Sequence, residues 1–111
     1  MLMATRSQID TIVHKIVTSS HPEKVILFGS HAYGQPNADS DIDLLVITES
    51  DLPRYQRVRD LKKCLRGSKE AVDLLVYTPL EIEKWKDVKT AFITTVMEKG
   101  VVLFPPYYFN L

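Results

Sequence analysis

Apolar residues recur at Ile9, Ile12, Val13, Ile16 and Val17. This i, i+3, i+4, i+7, i+8 spacing marks one buried stripe and predicts an amphipathic helix over residues 5–19. Thr5 and Gln8 are placed for a reciprocal capping box at its start. His14 and Lys15 fall off the stripe, and Pro22 ends the helix by disfavouring helical geometry in the residue before it. The pattern then changes. Lys24 to Phe28 is a continuous apolar run, as expected of a strand covered on both faces. Gly29 breaks it, Ser30 is placed to cap a short turn over His31-Ala32-Tyr33, and Gly34 and Pro36 open a loop. Asp41 to Thr48 predicts a second strand. Its alternation puts Asp41 and Asp43 on one face and Ile42 on the other.

Ser50-Asp51-Leu52-Pro53 reads as the start of a helix running to about Leu65, with Tyr55, Val58, Leu61 and Leu65 inward and the basic residues outward. Gly67-Ser68 stops it. Ala71 to Thr78 predicts a third strand, and here the chain nearly repeats itself: Asp43-Leu-Leu-Val-Ile-Thr48 matches Asp73-Leu-Leu-Val-Tyr-Thr78. The 24 residues between the two runs suit a helical crossover between parallel strands, which sets Asp43 beside Asp73. Thr78-Pro79-Leu80-Glu81 is a second capping box, opening a helix through Trp85 and Val88. Another helix is predicted from about Lys89 to Lys99, with Ala91, Phe92, Thr95, Val96 and Lys99 on its apolar side. Gly100 ends it, and Val101–Phe104 reads as an edge strand. The apolar tail 107–111 either packs on the domain or meets a partner. These elements make an α/β fold, a small mixed sheet flanked by helices with the site at one edge, and a single domain over residues 1–111.

Composition narrows the classes. The formal net charge of the 111 residues is zero, so nothing global points to nucleic acid or membrane. Half of the 14 basic residues, namely Arg54, Arg57, Arg59, Lys62, Lys63, Arg66 and Lys69, fall in one segment. That is either a solvated face or a docking surface. Cys64 is the single cysteine, which fits a reducing cytoplasm, and neither a signal peptide nor an apolar run of membrane length is visible.

The chemistry concentrates between Phe28 and Asp43, with Asp73 beside it. Three carboxylates, Asp41, Asp43 and Asp73, are hard oxygen ligands suited to one or two Mg²⁺ ions. Asp41 and Asp43 also suit a plain turn cap, but a carboxylate on the inner face of an apolar strand is costly without a partner. Gly29 lets backbone come close to a phosphate, and the following N–H groups with the Ser30 hydroxyl suit phosphate oxygens. His31 is either a nucleotide contact or part of an exposed turn. A phosphate cradle beside paired aspartates suits nucleotidyl transfer, in which a hydroxyl attacks the α-phosphorus of a nucleoside triphosphate and pyrophosphate leaves.

Gly29-Ser30, ten intervening residues and Asp41-x-Asp43, with Asp73 on a later strand, resemble the signature of the DNA polymerase β-type nucleotidyltransferase superfamily. The form GSHAYGQPNADSDIDLLVI and the short chain look most like the minimal nucleotidyltransferases, the antitoxin halves of pairs whose toxin is a HEPN-domain RNase. The resemblance covers roughly residues 9–104. It implies the nucleotidyltransferase fold, Mg²⁺, ATP as substrate, and a cognate HEPN toxin as partner in a hetero-oligomer. It also implies transfer of AMP to a toxin tyrosine. Many relatives carry Arg where this chain has His31, a weaker phosphate holder. Two other readings remain: an antitoxin acting by binding alone, and a small-molecule nucleotidyltransferase.

Overall fold

The computed structural model describes residues 4–85, 88 and 92–106. Helix α1 (Arg6–Ser20) is followed by β1 (Lys24–Phe28), a four-residue helix α2 (Ser30–Tyr33) and β2 (Ile42–Ile47). Helix α3 (Arg54–Lys62) runs into a 3₁₀ turn (Lys63–Leu65) before β3 (Val72–Tyr77). Then come α4 (Pro79–Trp85), α5 (Phe92–Lys99) and β4 (Val101–Phe104). The strands form one mixed sheet in the order β3-β2-β1-β4, with β2 and β3 parallel and the other pairs antiparallel. The predicted α/β class, the parallel crossover and the edge position of β4 are all present.

Strand alternation sorts the apolar residues into two cores. Val25, Leu27, Ile42, Leu44, Val46, Leu74 and Val76 pack against Ile9, Ile12, Val13 and Ile16 of α1 and Leu61 of α3. Ile26, Phe28, Leu45 and Ile47 turn to the other face and meet Ile82 of α4 with Ile93 and Val96 of α5. Asp43, Asp73, Leu75 and Tyr77 alternate onto this second face. The helical cover there lies against β1, where α5 packs, so Leu75 and Tyr77 stay half-buried. Gly100 permits the close approach of α5 to the sheet: a Cβ there would stand 2.5 Å from Ile26 Cγ2. No helix among the described residues is long and apolar enough to cross a membrane.

Both capping boxes form. Gln8 N–H donates to Thr5 Oγ1 (3.1 Å) while Thr5 N–H donates to Gln8 Oε1 (2.7 Å). Thr78 N–H and Glu81 N–H exchange the same pair of bonds at 2.8 and 3.2 Å. His21, before Pro22, leaves the right-handed helical region (φ 48°) and ends α1 as expected. Three details differ from the sequence reading. Helix α3 starts at Arg54, with Ser50 Oγ instead accepting Leu52 N–H in the preceding turn. Its phase also changes: Tyr55 is 68% exposed, whereas the Arg57 side chain is only 10% exposed. Arg57 turns inward because three acceptors await it: Leu52 O (2.8 Å), Val76 O (3.2 Å) and Glu81 Oε1 (2.7 Å). In α5 the buried positions are Ile93, Thr94 and Val96, while Phe92 and Lys99 are exposed. Lys89, Ala91 and the tail 107–111 lie outside the described residues; α4 covers Pro79–Trp85, and Val88 is not helical.

Glu81 carries a consequence of this network. Burial pushes its carboxyl up. The bonds from Arg57 and Thr78 and the charges of Arg57 and Arg54 outweigh that and bring it down to about 2. A depressed pKa stabilises the fold above the ordinary glutamate range, and that stability is lost as pH falls toward about 2. Glu81→Gln is therefore expected to lower unfolding free energy at pH 7 by roughly 1–3 kcal/mol and to flatten the acid limb between ordinary glutamate titration and pH 2. Urea unfolding across that range measures both effects.

Candidate functional site

The end of β1 sets the geometry. Gly29 has φ 72° and ψ −155°, a region open essentially only to glycine. Its carbonyl accepts Ala32 N–H and Tyr33 N–H, both at 3.0 Å, and so starts α2. Gly29 itself holds the N-cap position, and no side chain caps the helix. The predicted Ser30 cap is thus replaced by a glycine turn, with Ser30 as the first helical residue. The reason for glycine is double. Phe28 and Asp43 are cross-strand partners, and a Cβ on Gly29 would run into Asp43 Oδ2. The backbone turn and the carboxylate occupy adjoining space.

Asp43 and Asp73 are register partners across the parallel β2–β3 pair, as the sequence repeat implies. Asp41 stands one residue before β2, exposed, and alternation places it on the side of Asp43. Asp73 is also exposed, on edge strand β3, and Asp43 between them is half-buried. The arrangement thus spans the ends of β1 and β2 and reaches the sheet edge only through Asp73. Burial, then the charge of Asp73, then that of Asp41 push the Asp43 carboxyl up, while His31 acts in the opposite sense.

His31 is half-buried. Its Nδ1 lies 3.0 Å from Asp41 O, so the ring donates there, tying α2 to the segment that enters β2. Its Nε2 is buried with no hydrogen-bond partner among the described residues. The sequence carried no signal for this tie, because nothing in the ten-residue spacing distinguishes a ring nitrogen held by backbone from an exposed turn. Asp39 N–H donates to Asn37 Oδ1 (2.8 Å) and Asn37 N–H to Ser40 Oγ (2.9 Å), which makes residues 37–40 a self-bonded turn set apart from the carboxylates.

Carboxylate oxygens are the ligand type a hard divalent cation takes. Burial and the neighbouring charges of Asp73 and Asp41 raise the proton affinity of Asp43, and a cation at that half-buried carboxylate would offset the repulsion. Among the described residues no group of three or more such side chains is gathered closely enough to hold a metal ion.

Comparison with known proteins shows the family and the fold. Residues 10–106 match the family described as Polymerase beta, Nucleotidyltransferase. A candidate protein adenylyltransferase of Methanocaldococcus jannaschii is 32% identical over 79 residues, which cover 71% of this chain and 76% of that one. Among solved structures, a candidate nucleotidyltransferase from Sulfolobus solfataricus superposes with TM-score 0.60 at 24% identity, covering 86% of this chain and 76% of that one. A toxin–antitoxin structure, MntA–HpeT with two aspartates two positions apart changed to glutamate, gives TM-score 0.52 at 19% identity. A toxin–antitoxin structure with AMP-PNP gives 0.53 at 21%. Each of the last two covers 91% of this chain and 77% of its own. These likenesses establish the fold.

Two outcomes are expected from the site itself. Gly29→Ala forces both a positive φ and a clash with Asp43, and should lower stability by about 1–3 kcal/mol while abolishing any Mg²⁺-nucleotide binding, as calorimetry reads. Asp43 has a raised pKa, so its ionisation weighs against the fold as pH rises through the carboxylate range. Asp43→Asn should accordingly raise the Tm of the metal-free protein by a few degrees at pH 7. Added Mg²⁺ should raise the Tm of the wild type and leave that of the variant unmoved.

Proposed function

Because this chain belongs to the polymerase beta nucleotidyltransferase family, we propose that it is a Mg²⁺-dependent enzyme that transfers AMP from ATP to a hydroxyl of a partner protein. The acceptor is a tyrosine of a cognate HEPN-domain RNase toxin, and the chain is the antitoxin of that pair. One observation carries the reaction type: Asp43 and Asp73 stand in register on one face, with the Gly29 turn built directly against Asp43. The choice of AMP and of a protein acceptor draws support from the M. jannaschii relative. The toxin as partner draws it from the short Gly-Ser…Asp-x-Asp form.

Asp41, Asp43 and Asp73 would hold Mg²⁺, which would supply neutralisation of the charge that develops on the phosphate oxygens. Gly29 brings backbone close to the triphosphate, Ser30 adds a hydroxyl donor, and His31 holds the turn against Asp41 O at the nucleotide's edge. The acceptor hydroxyl attacks the α-phosphorus, its new O–P bond forms, the bond to the β-phosphate bridge breaks and pyrophosphate leaves. Asp73, exposed on the edge strand, takes the proton from the attacking oxygen.

Protein, toxin and MgATP labelled at the α-phosphate are incubated together. Label is expected on the toxin and is expected to fall at least about a hundredfold in Asp43→Asn. Toxicity suppressed equally by Asp41→Asn/Asp43→Asn with no label on the toxin replaces the enzyme with a binding antitoxin. Label on a small hydroxylated compound without the toxin assigns a small-molecule enzyme.

A further inference from the structure

Arg54, Tyr77, Trp85, Phe92 and Ile93 line an open pocket of about 240 Å³, and Tyr77 alternates onto the same sheet face as Asp43 and Asp73. We propose that this cavity receives the base of the nucleotide whose phosphates lie at Gly29 and Asp43, an assignment that rests on the nucleotidyl-transfer reading of that site.

Position is the first argument. Tyr77 follows Asp73 by four residues on β3, a separation of about 13 Å at strand rise, and both alternate onto the same face. Phe92 meets Phe28 edge-on, with ring centroids 5.5 Å apart at 79°. Phe28 is the cross-strand partner of Asp43. Cavity and carboxylates are therefore the two ends of one floor, running Asp73, Leu75, Tyr77. A nucleotide has the matching polarity, anionic at one end and flat and aromatic at the other.

Chemistry is the second argument. Trp85 is 40% and Phe92 55% exposed, open ring faces beside a guanidinium. The Arg54 guanidinium lies 4.1 Å from the Tyr77 ring centroid and 3.4 Å from Glu81 Oε2, which leaves other N–H donors for the edge of a base. Thr94 Oγ1 of α5 donates to Trp85 O (2.9 Å) and to Val88 O (2.7 Å), a contact between α5 and the end of α4 beside the pocket. The volume falls below the range of drug-sized ligands, so it suits one ring system better than a length of peptide. Aromatic stacking tolerates any base, so the cavity contributes affinity more than choice of base.

Trp85 is the only tryptophan, so its emission reports on this cavity alone. The full chain is titrated with MgATP and, separately, with magnesium tripolyphosphate, which has no base. MgATP is expected to quench Trp85, and tripolyphosphate to bind without quenching. Phe92→Ala, an exposed position, should weaken MgATP about five- to a hundredfold in calorimetry and leave tripolyphosphate unchanged, with Phe92→Tyr restoring affinity. Calorimetric MgATP binding that neither quenches Trp85 nor responds to Phe92→Ala places the base elsewhere and leaves the nucleotidyl-transfer reading standing. Quenching by a tyrosine-bearing acceptor peptide and not by MgATP assigns the cavity to the acceptor and overturns the proposal. Failure of MgATP to bind at all removes both readings.

Discussion

The side of the Gly29 backbone where a side chain would stand is filled by the carboxylate of Asp43. This contact joins the two halves of the site, and much of the surrounding structure exists to make it possible. It requires β1 and β2 to be antiparallel neighbours with Phe28 opposite Asp43, so that the turn after one strand falls beside the start of the other. It requires a backbone conformation that only glycine adopts freely. It also leaves Asp43 half-buried among like charges, so that ionising it weakens the fold. The strain and the chemistry are the same feature.

The two faces of the sheet divide the labour. One is sealed by α1 and α3 over a continuous apolar layer, in which Ile12, Ile16, Leu44 and Val46 are among the fully buried side chains. The other is sealed only where α4 and α5 reach, and its open part is the floor that runs from Asp73 to Tyr77. A protein of this size keeps a stable core and an accessible reaction surface by giving each a separate side of one sheet.

What the sequence made legible follows from local rules. The α1 stripe, the capping boxes, the apolar strand runs and the glycine after β1 each depend on residues a few positions apart, and all are present. The Asp43–Asp73 pairing was legible although it is distant, because the repeated run printed the register into the sequence. What escaped depends on tertiary acceptors. Arg57 turns inward and Tyr55 outward because the carbonyls of Leu52 and Val76 and the Glu81 carboxylate lie inside, and helical spacing carries no trace of them. The buried side of α5 turns to Ile93, Thr94 and Val96, with Thr94 donating to Trp85 O and Val88 O, contacts that helical spacing does not reveal. His31 and Asp41 O meet because of where two strands end.

The near-identity of β2 and β3 has a consequence for how the pairing is chosen. A slip of one residue reverses every side chain and is excluded by both cores. A slip of two preserves the apolar alternation almost intact, yet sets Asp43 beside Leu75 and dismantles the carboxylate pair. Hydrophobic burial therefore selects only the parity of the alignment. The choice among alignments of equal parity falls to polar contacts at the strand ends: Ile42 N–H on Ala71 O (2.9 Å), Thr48 N–H on Tyr77 O (3.0 Å), and Arg57 on Val76 O (3.2 Å). The core holds the sheet together, while its ends decide whether Asp43 and Asp73 meet.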